Sequence, residues 1–150
     1  MKEIQTSIAD ELRAGRAVST NTHGISMKPL LVEGKTVVVI EPLRRALEVG
    51  ELPVFLRPDG KYVIHRVIGM DEKNYYTRGD NCLNSETVPK EQALGVVVEI
   101  YRNGRMLRVT DRRYQAYVAL WRALTPLRLR WKRLRVRLSG LKKKIKRENV

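Results

Sequence analysis

The sequence predicts a mainly β protein, a small antiparallel β domain preceded by a short helix and followed by a basic helical segment. Three observations carry this. Between Arg16 and about Val109 the apolar residues fall in short β-rich runs separated by turn residues. Before them, Ile4, Ile8 and Leu12 recur every four residues, and after them apolar residues step by three or four through a stretch dense in Lys and Arg.

Taken in order, residues 3–14 read as a short helix with one apolar stripe, closed by Gly15. Strands are expected at 36–41, 52–57, 61–69, 74–79 and 93–102. Pro58-Asp59-Gly60 supplies a preset φ, a side-chain acceptor and a residue that tolerates positive φ, and Asp71 to Asn74 forms a polar break. Hairpins are therefore expected at both places. In the tail, Tyr114, Tyr117, Trp121, Leu124, Leu127, Trp131, Leu134, Leu138, Leu141 and Ile145 keep helical spacing. Pro126 is expected to break or kink that helix, leaving one helix before it and another after. The domains are drawn at 1–110 for the β domain and 111–150 for the tail.

A chain of 150 residues suits one catalytic core, and with 43% hydrophobic and 31% charged residues it has the apolar material to fold. The net charge of +14 is unevenly placed. Residues 1–100 carry 13 Lys/Arg against 14 Asp/Glu, whereas residues 101–150 carry 17 against 2. The basic excess thus belongs to the tail, whose partner should be an anionic surface, lipid or nucleic acid. Eleven Lys/Arg lie between Arg128 and Arg147 with no acid among them, and the apolar stripe with two Trp favours lipid. Residues 127–147 are accordingly expected on an anionic membrane surface, with nucleic acid the less favoured partner. Cys82 is the only cysteine, which excludes an intrachain disulfide and a stapled secreted scaffold. No run reaches the roughly 18 apolar residues of a membrane span. The first 20 residues lack the apolar middle of a secretory signal. A cytoplasmic or peripheral membrane location is expected, with no transmembrane span or signal peptide.

The residues that carry chemistry come in four short stretches. They are Gly24-Ile25-Ser26-Met27-Lys28-Pro29, Gly50-Glu51-Leu52-Pro53-Val54, Ile64-His65-Arg66-Val67-Ile68-Gly69 and Gly79-Asp80-Asn81. In this order and spacing they resemble the boxes of the signal peptidase I superfamily, which also includes the self-cleaving SOS-response repressors. The resemblance implies a serine endopeptidase on a small antiparallel β domain of the signal peptidase type, with Ser26 as nucleophile, His65 as general base and no cofactor. Histidine at the base position is similar to the endoplasmic-reticulum and archaeal type, where most bacterial members carry Lys.

That pairing is chemically sound. A serine hydroxyl is a poor nucleophile until an adjacent base takes its proton, and histidine does so at neutral pH without the desolvation a lysine base needs. An acid must then orient the imidazole and stabilise its cation. Asp80 is the preferred acid, because His65 and Asp80 lie on the two arms of the predicted 61–69/74–79 hairpin. With an even loop, position 65 faces 78 or 80, which puts both side chains on one face within cross-strand reach. An odd loop or a bulge would break that relation. The resemblance supplies a rival in Glu86, six residues after Asp80, where the endoplasmic-reticulum type has a second aspartate. Gly24 stands two residues before the nucleophile, where many members place a hydroxyl, so the oxyanion hole is expected from backbone N–H groups including that of Ser26. His23 and Cys82 occupy no catalytic position of the family and give no metal set.

The expected substrate is an extended peptide or precursor protein with small residues near the cut, such as a signal or leader peptide. The alternative is a binding module, SOS-repressor-like or catalytically idle, whose basic tail grips nucleic acid. The chain has neither the separate DNA-reading helical domain nor the Lys base usual in those repressors.

Overall fold

The computed structural model describes residues 7–148, with side chains to residue 139. The protein is mainly β, with curled antiparallel sheets, a short N-terminal helix and a long C-terminal one. Among the described residues the chain runs through α1 (Ile8–Arg13), β1 (Val18–Asn21), β2 (Thr36–Pro42), β3 (Pro53–Leu56), β4 (Tyr62–Ile64), β5 (Arg66–Met70), β6 (Asn74–Arg78), β7 (Glu86–Pro89), β8 (Ala93–Arg102), β9 (Arg105–Arg108) and α2 (Arg112–Glu148). It divides into two compact units, Met1–Gln115 and Ala116–Val150.

In the first unit, α1 begins at Ser7, whose hydroxyl accepts the Asp10 N–H at 3.2 Å and so satisfies one orphan donor of the first turn. It ends at Ala14, and Gly15 at φ +80° turns the chain away. Leu12 and Ala9 are buried; Ile4 of the expected stripe lies outside the described residues. The larger sheet has the order β1-β2-β8-β3-β4, and β9 pairs with β8. The smaller sheet is β5-β6-β7. Alternation drives the first: along β2, Thr36, Val38 and Ile40 point into the core while the residues between them are half-buried. These join Leu52, Val54, Phe55, Val97 and Ile100 as the main buried set. A second cluster of Leu47, Val67 and Tyr75 lies on the smaller sheet, and the Leu47 N–H donates to the Tyr75 hydroxyl at 3.0 Å.

Both expected hairpins are present. Pro58-Asp59-Gly60 joins β3 to β4, with Asp59 accepting the Lys61 N–H and Gly60 at φ +80°. Asp71 to Asn74 joins β5 to β6, and the Asp71 carboxylate accepts from Lys73 N, Asn74 N and the Tyr76 hydroxyl. The expected strand at 61–69 is corrected. It is two strands, β4 in the larger sheet and β5 in the smaller, divided at His65. Strands β1, β7 and β9 were not expected, being short, polar or charged, and without an apolar alternation to mark them.

The expectation of two helices around Pro126 is also corrected, since α2 continues through it. Proline removes one N–H donor and crowds the carbonyl four residues back, at a cost of about 3 kcal/mol, which breaks a helix only when nothing offsets it. Here the Thr125 hydroxyl donates to the Trp121 carbonyl at 2.7 Å, a contact that tends to bend a helix and relieve such crowding. Trp121 stacks on Tyr117, and the Arg128 guanidinium covers its ring at 3.2 Å, so one cation–π contact spans the proline.

Gly95 marks the tightest point of the larger sheet, where β8 lies between β2 and β3 under α1. A Cβ there would stand 2.6 Å from the Glu41 carbonyl oxygen, 2.8 Å from Ile40 Cγ2 and 3.2 Å from Leu12 Cδ1. The Gly95→Ala variant is expected to lose about 1–3 kcal/mol of stability. Urea unfolding checks this, as a lowered midpoint at unchanged slope.

Candidate active site

The site is built where the chain crosses from one sheet to the other. His65 sits between β4 and β5, outside either ladder, and is only 4% exposed. The Phe55 ring meets it edge-on at 6.2 Å between centroids. Glu86, the first residue of β7, brings Oε1 to 3.2 Å from His65 Nδ1, within ion-pair range although not along the line of an aligned hydrogen bond. The same carboxylate is gripped by Arg57 from the end of β3, with Arg57 Nε at 3.1 Å from Oε2 and Nη2 on Oε1.

The other ring nitrogen faces Gly79. A Cβ on Gly79 would lie 3.1 Å from His65 Nε2, 2.6 Å from the Ser26 carbonyl oxygen and 2.7 Å from Cys82 Sγ, so only glycine lets these three groups close around the backbone. The Ser26 carbonyl oxygen and His65 Nε2 therefore gather on the same face of Gly79. The Ser26 segment is stitched to the same strand end. Its carbonyl accepts the Asn81 N–H at 2.7 Å, and the Asn81 side-chain amide donates to the Ile25 carbonyl at 3.1 Å. Ser26 is half-buried, and with His65, Glu86, Arg57 and Cys82 it lines a cavity of about 830 Å³.

Burial is the largest influence on His65, and it holds the imidazole below its usual pKa. Glu86 opposes that and Arg57 reinforces it, with Asp80 a smaller opposing influence. The net effect keeps a neutral ring, able to accept a proton, at neutral pH.

The expected pairing of Asp80 with His65 is corrected. Asp80 forms a fork with Arg66, with Nε to Oδ1 at 2.8 Å and Nη2 to Oδ2 at 2.7 Å, and both side chains are 3% exposed. Two features of the fold keep Asp80 from the ring. The chain leaves the ladder at His65 to change sheets, and the β5/β6 pairing slips by one residue between Val67 and Gly69. A planar guanidinium also satisfies a buried carboxylate better than a neutral ring does. Of the acids proposed from sequence, the structure brings Glu86 to His65.

Two arginines of the site went unrecognised. Arg66 stands in the base-bearing stretch, and its Nη1 also donates to the Gly50 carbonyl at 2.8 Å. Its charge beside a buried acid was the available signal. Arg57 ends an ordinary strand run before a turn, and no sequence pattern ties it to Glu86. The Gly50-Glu51 stretch is structural, since the Gly50 N–H donates to the Val67 carbonyl and the Val67 N–H to the Glu51 carbonyl, while Arg45 holds the Glu51 side chain. His23 is exposed and lies 3.9 Å from Glu33. Among the described residues no three His, Cys, Asp or Glu gather as a metal set.

No protein-family model matches the chain, and no curated protein matches it. Among the described residues no helix is long and apolar enough to cross a membrane.

The Arg66–Asp80 fork makes a direct stability prediction. Removing one partner leaves a buried, unpaired charge, so Asp80→Ala is expected to cost about 3–5 kcal/mol. Equilibrium denaturation measures it.

Proposed function

We propose that this protein is a serine endopeptidase of the signal peptidase I type in which Ser26 is the nucleophile, His65 the general base and Glu86 the acid that orients it. The observation that carries the reading is the arrangement of these three side chains on one cavity, with one ring nitrogen of a buried, neutral histidine on the face of Gly79 that the Ser26 carbonyl also meets and the other near a carboxylate. In the proposed reaction His65 takes the Ser26 hydroxyl proton as Oγ attacks the scissile carbonyl. The tetrahedral oxyanion is held by backbone N–H groups, including that of Ser26. His65 then gives the proton to the leaving amine, and water, activated by the same ring, hydrolyses the acyl-enzyme. Glu86 stabilises the imidazolium formed in each step.

The walls of the cavity support a peptide as the substrate. Thr20 and Asn21 of β1 and Tyr62, Val63 and Ile64 of β4 line it, and these are the two end strands in the order of the larger sheet. An extended peptide laid between them would pair by its backbone, and the apolar lining from Leu31, Ile40 and Val54 suits small side chains near the cut. A signal or leader peptide of a precursor protein fits that description.

In the tail, Leu120, Leu124, Leu127, Trp131, Leu134 and Leu138 are all exposed and follow steps of four and three, so they form one stripe along α2. Arg128, Arg130, Lys132, Arg133, Arg135 and Arg137 lie among them with no acid from 112 to 139. We read this as a peripheral anchor for an anionic bilayer surface, to which each cation adds on the order of 1 kcal/mol. The side chains of Leu141 and Ile145, which extend the expected stripe, lie outside the described residues.

Incubation with leader-bearing precursor peptides, with cut sites found by mass spectrometry, tests the activity. Ser26→Ala and His65→Ala should each lower turnover by at least about 10³-fold with the fold intact, since the two act as one unit. Undiminished cleavage by the Ser26→Ala protein sinks the assignment.

Vesicle co-sedimentation tests the anchor. Full-length protein should pellet with anionic but not neutral vesicles, less so in high salt, and truncation after Pro126 should abolish pelleting. Recovery of both forms in the supernatant removes the membrane from the reading.

A further inference from the structure

We infer that Arg57 is a positioning residue of this site, clamping the Glu86 carboxylate against His65 and thereby setting the pH range in which His65 serves as base. The inference rests on the assignment of His65 as general base. Arg57 directly follows β3 of the larger sheet and Glu86 opens β7 in the smaller one, so their fork joins the two sheets beside the point where the chain crosses between them at His65. The joint is local and partly open to solvent: the Arg57 side chain is 37% exposed and that of Glu86 31%, whereas His65 is 5% exposed.

The clamp has two consequences. A glutamate on a strand end has three side-chain torsions, and two contacts from one planar guanidinium fix the plane of its carboxylate, so that Oε1 stays turned toward Nδ1. The second consequence is electrostatic. Burial is the largest influence keeping the ring neutral, and the carboxylate facing it pulls the other way, toward imidazolium. Arg57 shares Oε1, draws off part of that charge and adds its own repulsion to an imidazolium, so the resting pair remains carboxylate and neutral ring.

The charged and titratable groups facing His65 are Glu86 from β7, Arg57 from β3 and Asp80 from the segment after β6. Asp80 is forked by Arg66, and the Cys82 thiol approaches the same face of Gly79 as His65 Nε2. Lys61 and His23 lie on the wall of the same cavity. Of these, only Arg57 is a cation that touches the carboxylate facing the ring.

The chain has two histidines, so proton NMR can follow both titrations in one sample, and exposed His23 serves as an internal reference. Arg57→Gln should raise the His65 midpoint while leaving that of His23 in place. Glu86→Gln should move His65 the other way. Arg57→Lys keeps the charge without the fork, so its midpoint should stay near wild type while kcat falls.

In the cleavage assay Arg57→Gln should move the acid limb of kcat/KM to higher pH. The sign follows because a raised base pKa leaves more imidazolium at a given pH. Activity near pH 6 should fall roughly tenfold with KM little changed. A folded Arg57→Gln protein whose His65 titrates as in wild type overturns the inference. So does an Arg57→Lys protein with wild-type kcat, which also decides the matter if the Gln variant does not fold. Absence of cleavage by the wild-type protein would defeat the peptidase reading, while the NMR titrations would still judge Arg57.

Discussion

The fork between Arg66 and Asp80 joins two short segments that carry the site. Arg66 follows His65 directly, and Asp80 stands between Gly79, against which the Ser26 carbonyl and His65 close, and Asn81, which holds the Ser26 segment through two hydrogen bonds. With both charges in a dry interior the pair carries a desolvation penalty of several kcal/mol per ion, so its value lies less in net stability than in geometry. A buried charge tolerates one arrangement of partners, and here that arrangement fixes β5 to the end of β6. The Gly50 carbonyl and the Gly50–Val67–Glu51 backbone bonds hold the other edge of β5. The segment around His65 is thus tied on both sides before any contact of the imidazole itself is considered.

This arrangement divides two acids between two duties. Asp80 is close enough to influence His65, yet both its oxygens are committed to Arg66, and the fork is almost sealed from solvent. Glu86 is a third exposed, shared between Arg57 and His65, and poised where a change in ring charge would be felt. An acid forked by a guanidinium is held in place by that cation, whereas one with an oxygen 3.2 Å from Nδ1 is the nearer to a forming imidazolium. The extra methylene of Glu86 suits this position, because its backbone belongs to β7 while its carboxylate reaches the crossover between the sheets.

Much of this was legible in the sequence, and the failures have physical causes. The alternating apolar residues of β2 and the long run of β8 announced themselves, as did both hairpin turns, because local propensity and burial agree there. The short stretches and the resemblance they carry offered Ser26, His65, Asp80 and, as a rival acid, Glu86; Ser26, His65 and Glu86 line one cavity, while Asp80 is held by Arg66. What could not be read was the break at His65. The run 61–69 has the composition of a single strand, and only the tertiary fold assigns its halves to different sheets. That break invalidated a register argument whose premise was a continuous hairpin. Arg57 was invisible for a related reason, since its partner is distant in sequence and lies on the other sheet.

The same crossover suits a histidine to the role of base proposed for it. A residue inside a ladder has its backbone fixed by neighbours on both sides and its side chain committed to one face of the sheet. A residue at the junction between two sheets is freed from that alternation, so its ring can be buried against Phe55 and still present opposite edges to two different segments. Burial then lowers its pKa, and the carboxylate facing Nδ1 offsets part of that cost without reversing it. A lysine at this position would have one charged terminus in place of two ring nitrogens, and it could not bridge Gly79 and Glu86 at once. The use of two ring nitrogens is what makes the crossover, Gly79 and Glu86 a single arrangement, and in the proposed reading it ties a histidine base to the topology of the fold.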